Sequence, residues 1–221
     1  MRAESYGAGA AFIVEGQTEE EFYRQYLFWA CRNHPGSYVR EGRDHGEVCY
    51  VVCDGGRETL VKFMSMNSIS QITNSGAWFL RSCVARHLGI PWHVFLAYDT
   101  DGHSAPVSQF QEGDWAALRR EIGSSAASVT DLAAEADIED VMLLDADGVL
   151  AFLGLPPDTK VPSGGKGKSK MRTLHRMVSV RNAYHEGSKA RPLIRSLDMG
   201  LIASRSPIPF GAIDAAIWPE R

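Results

Sequence analysis

Ala11-Phe12-Ile13-Val14 is a continuous apolar run that stops abruptly on Glu15-Gly16. Unbroken β-branched and aromatic residues suit a strand covered on both faces, which is how the strands of parallel sheets are buried. Gly16 permits a tight turn, and Thr18-x-x-Glu21 has the form of a capping box that opens the next helix. Glu15 therefore stands at the carboxyl end of a strand, where open α/β sheets gather their ligands. Glu19, Glu20 and Glu21 fall in the first helical turn, where acids complement the helix dipole. Nothing in capping calls for a carboxylate at position 15.

The same alternation continues along the chain. A helix is expected from Glu19 to about Arg32, a polar loop over 40–47, a strand over Val48–Cys53, a helix from Arg57 to about Met66, and helical structure over 77–87. Trp92–Tyr98 reads as a third strand and 114–122 as another helix. Residues 138–155 read either as strand then helix or as one helix broken near Asp147-Gly148. A Gly- and Lys-rich loop over 162–170 precedes helices at 171–185, at 191–197 and around 212–218. Strands alternating with helices predict an α/β fold with a mostly parallel sheet flanked by helices. The expected division is a core over residues 1–158 and a basic loop with a helical extension, packed on that core, over 159–221.

The chain is long enough for one sizeable core. No apolar run approaches the ~20 residues of a membrane span, and the first residues carry no signal-peptide core, so a cytoplasmic protein without a membrane partner is expected. Cys31, Cys49, Cys53 and Cys83 fit no zinc spacing and read as reduced thiols. The net charge of −4 argues against a generic polyanion binder, but the charge is segregated. Residues 131–158 hold eight acids and no Lys or Arg, whereas 166–195 hold nine Lys or Arg and one acid, Glu186. Two solvated faces would give this pattern. So would a cation site beside a surface that grips phosphates, with Lys166, Lys168, Lys170, Arg172 and Arg176 as the gripping residues.

Two strand ends carry acids, Glu15 and the pair Asp99-x-Asp101. Parallel strands bring such ends to one edge, and converging carboxylates are a ligand set for Mg²⁺ or Mn²⁺. Asp-Thr-Asp-Gly is also a good turn sequence. Gly164-Gly165-Lys166-Gly167-Lys168-Ser169 lacks the spacing of a phosphate-binding P-loop.

Strand-Glu15-Gly16-x-x-Glu19 followed by strand-Asp99-Thr100-Asp101-Gly102 resembles a Toprim domain, as found in topoisomerases, bacterial primases and the OLD-type (overcoming lysogenization defect) nucleases of phage defence. The resemblance spans roughly residues 8–170. It implies a Rossmann-like Toprim core with a C-terminal helical extension, and a Mg²⁺- or Mn²⁺-dependent nuclease that hydrolyses DNA or RNA phosphodiesters as a phage-defence effector. Asp99 and Asp101 would hold one ion, with Glu15 as a further ligand or a general acid or base. Glu19 and Glu139 or Asp140 would hold a second ion, and Lys166, Lys168 or Lys170 would approach the phosphate. No ATPase segment is attached, which points to a separate ATPase partner or to assembly of the chain with itself. Two other readings stand beside this one. The first is a non-catalytic module that binds nucleic acid or protein and keeps a relic site. The second is phosphoryl or nucleotidyl transfer to a small molecule or tRNA end.

Overall fold

A computed structural model describes residues 6–67, 71–100 and 112–219. Six strands form one sheet: β1 (Ala8–Val14), β2 (Tyr38–Asp44), β3 (Glu47–Asp54), β4 (Arg57–Ser65), β5 (Trp92–Asp99) and β6 (Ser128–Ala134). Their order is β2-β3-β4-β1-β5-β6. β4, β1, β5 and β6 run parallel, and β3 is antiparallel to both of its neighbours. The sheet is thus mostly parallel and flanked by helices, in a Rossmann-like α/β arrangement.

β1 lies at the centre of the parallel run, and its alternating side chains feed two cores. Ala10, Phe12 and Val14 face α1 (Gln17–Asn33) and the C-terminal helices. Ala11 and Ile13 face α2 (Gln71–Trp78), its π-helical continuation Phe79–Val84, and α3 (Glu112–Gly123). Phe12 pairs in register with Phe63 of β4 and Phe95 of β5, and its ring stacks on both at 4.8 Å between centroids. Burying each such ring contributes about 1.5–3 kcal/mol.

The remaining helices are α4 (Ile138–Met142), α5 (Ala146–Leu153), α6 (Gly167–Val178), α7 (Arg191–Ser196), α8 (Met199–Arg205) and α9 (Phe210–Ile217). Residues of α6 to α9 share one apolar core with the sheet and α1. α1 is tied to them by polar contacts as well: Arg191 is bidentate to Glu21, and the Tyr26 hydroxyl donates to Asp214 Oδ1 at 2.9 Å.

Several sequence expectations are corrected. Residues 57–65 form strand β4, not a helix. Lys62 sits in the middle of this strand and is fully buried, so the binary pattern hides the strand period. The loop expected over 40–47 is mostly the polar edge strand β2, whose side chains are largely solvent-facing. The capping box does not form. Gly16 is the N-cap, Thr18 Oγ1 instead accepts from the Gly187 amide at 2.8 Å, and Glu21 pairs with Arg191 and Arg24. The break in 138–155 falls at a 3₁₀ turn over Leu143–Asp145 rather than at Asp147-Gly148, and α6 begins inside the expected Gly-Lys loop.

Candidate functional site

Glu15 follows β1 and Asp99 ends the adjacent strand β5. The Asp99 amide donates to Glu15 Oε2 at 3.1 Å, which fixes one carboxylate over the other strand's end. A cleft of about 430 Å³ opens there, lined by Glu15, Gly16, Gln17, Thr18, Glu19, Asn67, Asp99, Glu139, Lys168, Glu186 and Gly187. Its acids come from five separate places in the fold: the ends of β1 and β5, the first turns of α1 and α4, and the segment after α6.

Burial and mutual repulsion dominate the electrostatics. Burial, then Glu19, Glu15, Glu139 and Asp137, pushes the Asp99 carboxyl up to about 10. Asp99 Oδ1 is buried and has no hydrogen-bond partner among the described residues. Glu139 is 1% exposed and is pushed up to about 8 by burial first and by Asp137, against the opposing Lys168 charge. The Tyr184 hydroxyl donates to Glu139 Oε1 at 2.8 Å and favours its charged form. Burial also raises Glu19, against backbone hydrogen bonds and Lys168. Burial opposes the Lys168 charge, but its hydrogen bond to Glu186 (Nζ to Oε2, 2.9 Å) and the charges of Glu139, Glu186 and Asp99 outweigh it and hold the ammonium above its usual range.

A clamp between α4 and α6 carries Lys168 into the cleft. Asp137 Oδ2 accepts from the Lys168 amide at 3.0 Å and Asp140 Oδ2 from the Gly167 amide at 2.8 Å. Both acids thus satisfy the amides that a helix start leaves free. A Cβ at Gly167 would lie 2.1 Å from the Asp140 backbone nitrogen, so only glycine admits this approach.

Of the residues singled out in the sequence, Glu15, Glu19, Asp99, Glu139 and Lys168 come together in the cleft. Asp101 lies outside the described residues. Asp140 is engaged by Gly167 and by Lys170 Nζ at 2.6 Å and does not line the cleft. Of the five expected phosphate-gripping cations, Lys168 and Arg172 pair with Glu186 and Lys170 pairs with Asp140. Lys166 is the N-cap of α6, and Arg176 is exposed on that helix. Sequence reasoning missed Asn67, Tyr184 and any role for Glu186 in the cleft. Asn67 holds φ at +56° after β4, a conformation that Asn tolerates better than most residues. A polar Asn-Ser pair directly after an apolar run was its only signal.

Among the described residues, no group of three or more His, Cys, Asp or Glu is placed to hold a metal ion by itself. One or two carboxylates suffice for Mg²⁺, which keeps several of its waters. The orphaned Asp99 oxygen and the all-oxygen donor set fit that mode of binding.

No protein-family model matches the chain, and no curated protein matches it. Solved structures do. A futalosine hydrolase mutant of Helicobacter pylori is 11% identical, with 95% of this chain and 98% of that one covered, at a TM-score of 0.29. The Helicobacter pylori MTAN is 12% identical, with 91% and 84% covered, at 0.24. A 5'-methylthioadenosine/S-adenosyl homocysteine nucleosidase of Campylobacter jejuni is 9% identical, with 91% and 81% covered, at 0.25. The expectation of a metal-dependent nuclease is corrected accordingly: these neighbours are named as nucleosidases and a futalosine hydrolase. At such low scores the neighbours assign this chain no activity of their own. No helix among the described residues is long and apolar enough to cross a membrane.

Proposed function

We propose that the cleft at the carboxyl edge of the sheet is a hydrolytic active site for a small polar substrate, with a divalent cation, Mg²⁺ or Mn²⁺, drawn to its carboxylates. The observation that carries this reading is Asp99, whose buried Oδ1 faces no donor among the described residues while Glu15, Glu19 and Glu139 crowd the same space. Buried like charges need protons or a cation to balance them. Asp99 and Glu15 would hold the ion, which supplies Lewis-acid polarisation when bound. Glu19 and Glu139 add negative charge nearby, and Tyr184 orients Glu139. Lys168 lines the same cleft as Asp99, where it can meet negative charge on a substrate. The volume suits a small molecule. The placement of Glu15 and Asp99 on neighbouring strand ends also supports the Toprim resemblance of the cation site, separately from that family's nuclease chemistry. The four free, buried cysteines fit a reducing cytoplasm.

Calorimetric titration with MnCl₂ in two buffers of different ionisation enthalpy tests the cation. Binding near one ion per chain with proton release at pH 7 is expected, and both signals should disappear in Asp99→Asn. Hydrolysis is read with p-nitrophenyl esters, glycosides and phosphomonoesters. Mn²⁺-dependent turnover that falls at least ~100-fold in Glu15→Gln and Asp99→Asn supports the reading. Absence of both cation binding and turnover overturns it.

A further inference from the structure

A second cavity, of about 270 Å³, lies behind Tyr184, and the acidic cleft does not use it. Its walls are apolar and partly aromatic, formed by Phe152, Leu153, Leu193 and Tyr184, and its polar groups are His175, Asn182, His185 and Lys189. His175 is more than nine-tenths buried; the Asn182 side chain lies close to its ring, but neither ring nitrogen is satisfied by a well-formed hydrogen bond among the described residues. The Tyr184 ring is 5.5 Å from it, tilted by 57°. An orphaned buried imidazole is costly, and such a group persists where something else satisfies it.

We propose that this cavity binds a flat heteroaromatic ring that carries an anionic group, with His175 reading the ring edge and Lys189 meeting the anion. The chemistry follows from the lining. A neutral imidazole offers one donor and one acceptor. The edge of a nitrogen heteroaromatic ring, which offers acceptors and in some rings donors, can therefore meet one of its two nitrogens, and a bare hydrocarbon chain cannot. Burial lowers the His175 pKa, with His185 adding to it and the Asn182 side chain opposing, which favours the neutral ring. Phe152 and Tyr184 supply faces for a flat ring. Lys189 and His185 are exposed and both line the cavity, so its solvent side carries basic groups. The Tyr184 hydroxyl reaches Glu139, so occupancy of the cavity presses on a residue that orients a wall of the acidic cleft. The assignment stands independently of any cation in that cleft.

Calorimetry and imidazole ¹⁵N NMR in EDTA, with AMP, adenosine, ribose 5-phosphate and nicotinate as probes, test it. AMP or nicotinate should bind saturably and move the His175 ring ¹⁵N resonances. Adenosine should bind at least ~5-fold more weakly than AMP, and ribose 5-phosphate should leave His175 unmoved. Lys189→Ala should weaken the acidic probes at least ~5-fold and leave adenosine unchanged, and His175→Phe should abolish ring recognition. If none of the probes moves the His175 resonances, or if Lys189→Ala binds all of them as wild type does, the assignment falls. Neither result bears on cation binding by Asp99.

Discussion

The molecule buries charge in two places and treats it in opposite ways. Under the antiparallel edge of the sheet, Lys62 is 1% exposed and fully answered: Nζ donates to Asp44 Oδ2 at 2.5 Å, to Glu47 Oε2 at 3.1 Å and to the Ser82 carbonyl at 2.8 Å. His87 adds a second contact to Asp44, and Arg86 a second to Glu47. At the parallel end of the sheet, Asp99, Glu15, Glu19 and Glu139 meet with a single lysine among them, and that lysine is already paired with Glu186. A balanced buried cluster is a structural solution. An unbalanced one is held in place by the rest of the fold and waits for a proton, a cation or a substrate.

Four substitutions probe the contrast, from the largest effect to the smallest. Lys62→Ala leaves Asp44 and Glu47 without their cation, and about 3–5 kcal/mol of stability should be lost in urea denaturation. A loss under ~1 kcal/mol would show that water replaces the lysine and that the cluster is not truly buried. Gly167→Ala places a methyl against the Asp140 backbone and should cost about 2–3 kcal/mol, with Lys168 displaced from the cleft. Asp99→Asn should do the reverse and stabilise the cation-free protein by about 1–3 kcal/mol at pH 8, with little gain at pH 4. Tyr184→Phe removes the donor that favours the Glu139 carboxylate. Its titration, followed by ¹³C NMR, should move above about 8 at a cost of about 1 kcal/mol.

The two clusters also pull the pH profile in opposite directions. For Asp99 the folded-state pKa lies above the unfolded one, so its contribution is full below about pH 4 and is lost as pH rises toward about 10. For Asp44, burial alone would raise the pKa, but the His87 and Lys62 hydrogen bonds and charges hold it below the usual range. Its contribution is present above about pH 4 and is lost on acidification. In EDTA, Asp99→Asn should therefore shift the pH of maximum stability upward, and thermal melts across pH 4–9 read this directly.

The strands that carry Glu15 and Asp99 were legible because both are unbroken apolar runs that end on an acid, and two adjacent strand ends then fall together. Strands β2 and β4 were not. β2 is a polar edge strand and reads as a loop. β4 hides its period because a buried lysine stands among its apolar residues. The partners of Thr18 and Glu21 were also hidden, because they lie about 170 residues away: Gly187 for Thr18, and Arg191 for Glu21. Local sequence rules favour a capping box here, and tertiary contacts replace it. Glu139 and Lys168 were visible as residue types in an acidic and a basic block. Their meeting depends on the Asp137 and Asp140 clamp, a long-range fit that no local pattern encodes.

That long clasp on α1 has a consequence for how the protein is made. The helix leaves the ribosome well before its partners, so Thr18, Glu21 and Tyr26 wait for Gly187, Arg191 and Asp214. A nascent chain that ends before residue 186 therefore has the strand ends but neither Glu186 nor the Gly187 amide at the cleft wall. Competence at this site therefore arises only after residues 186 to 214 have been made.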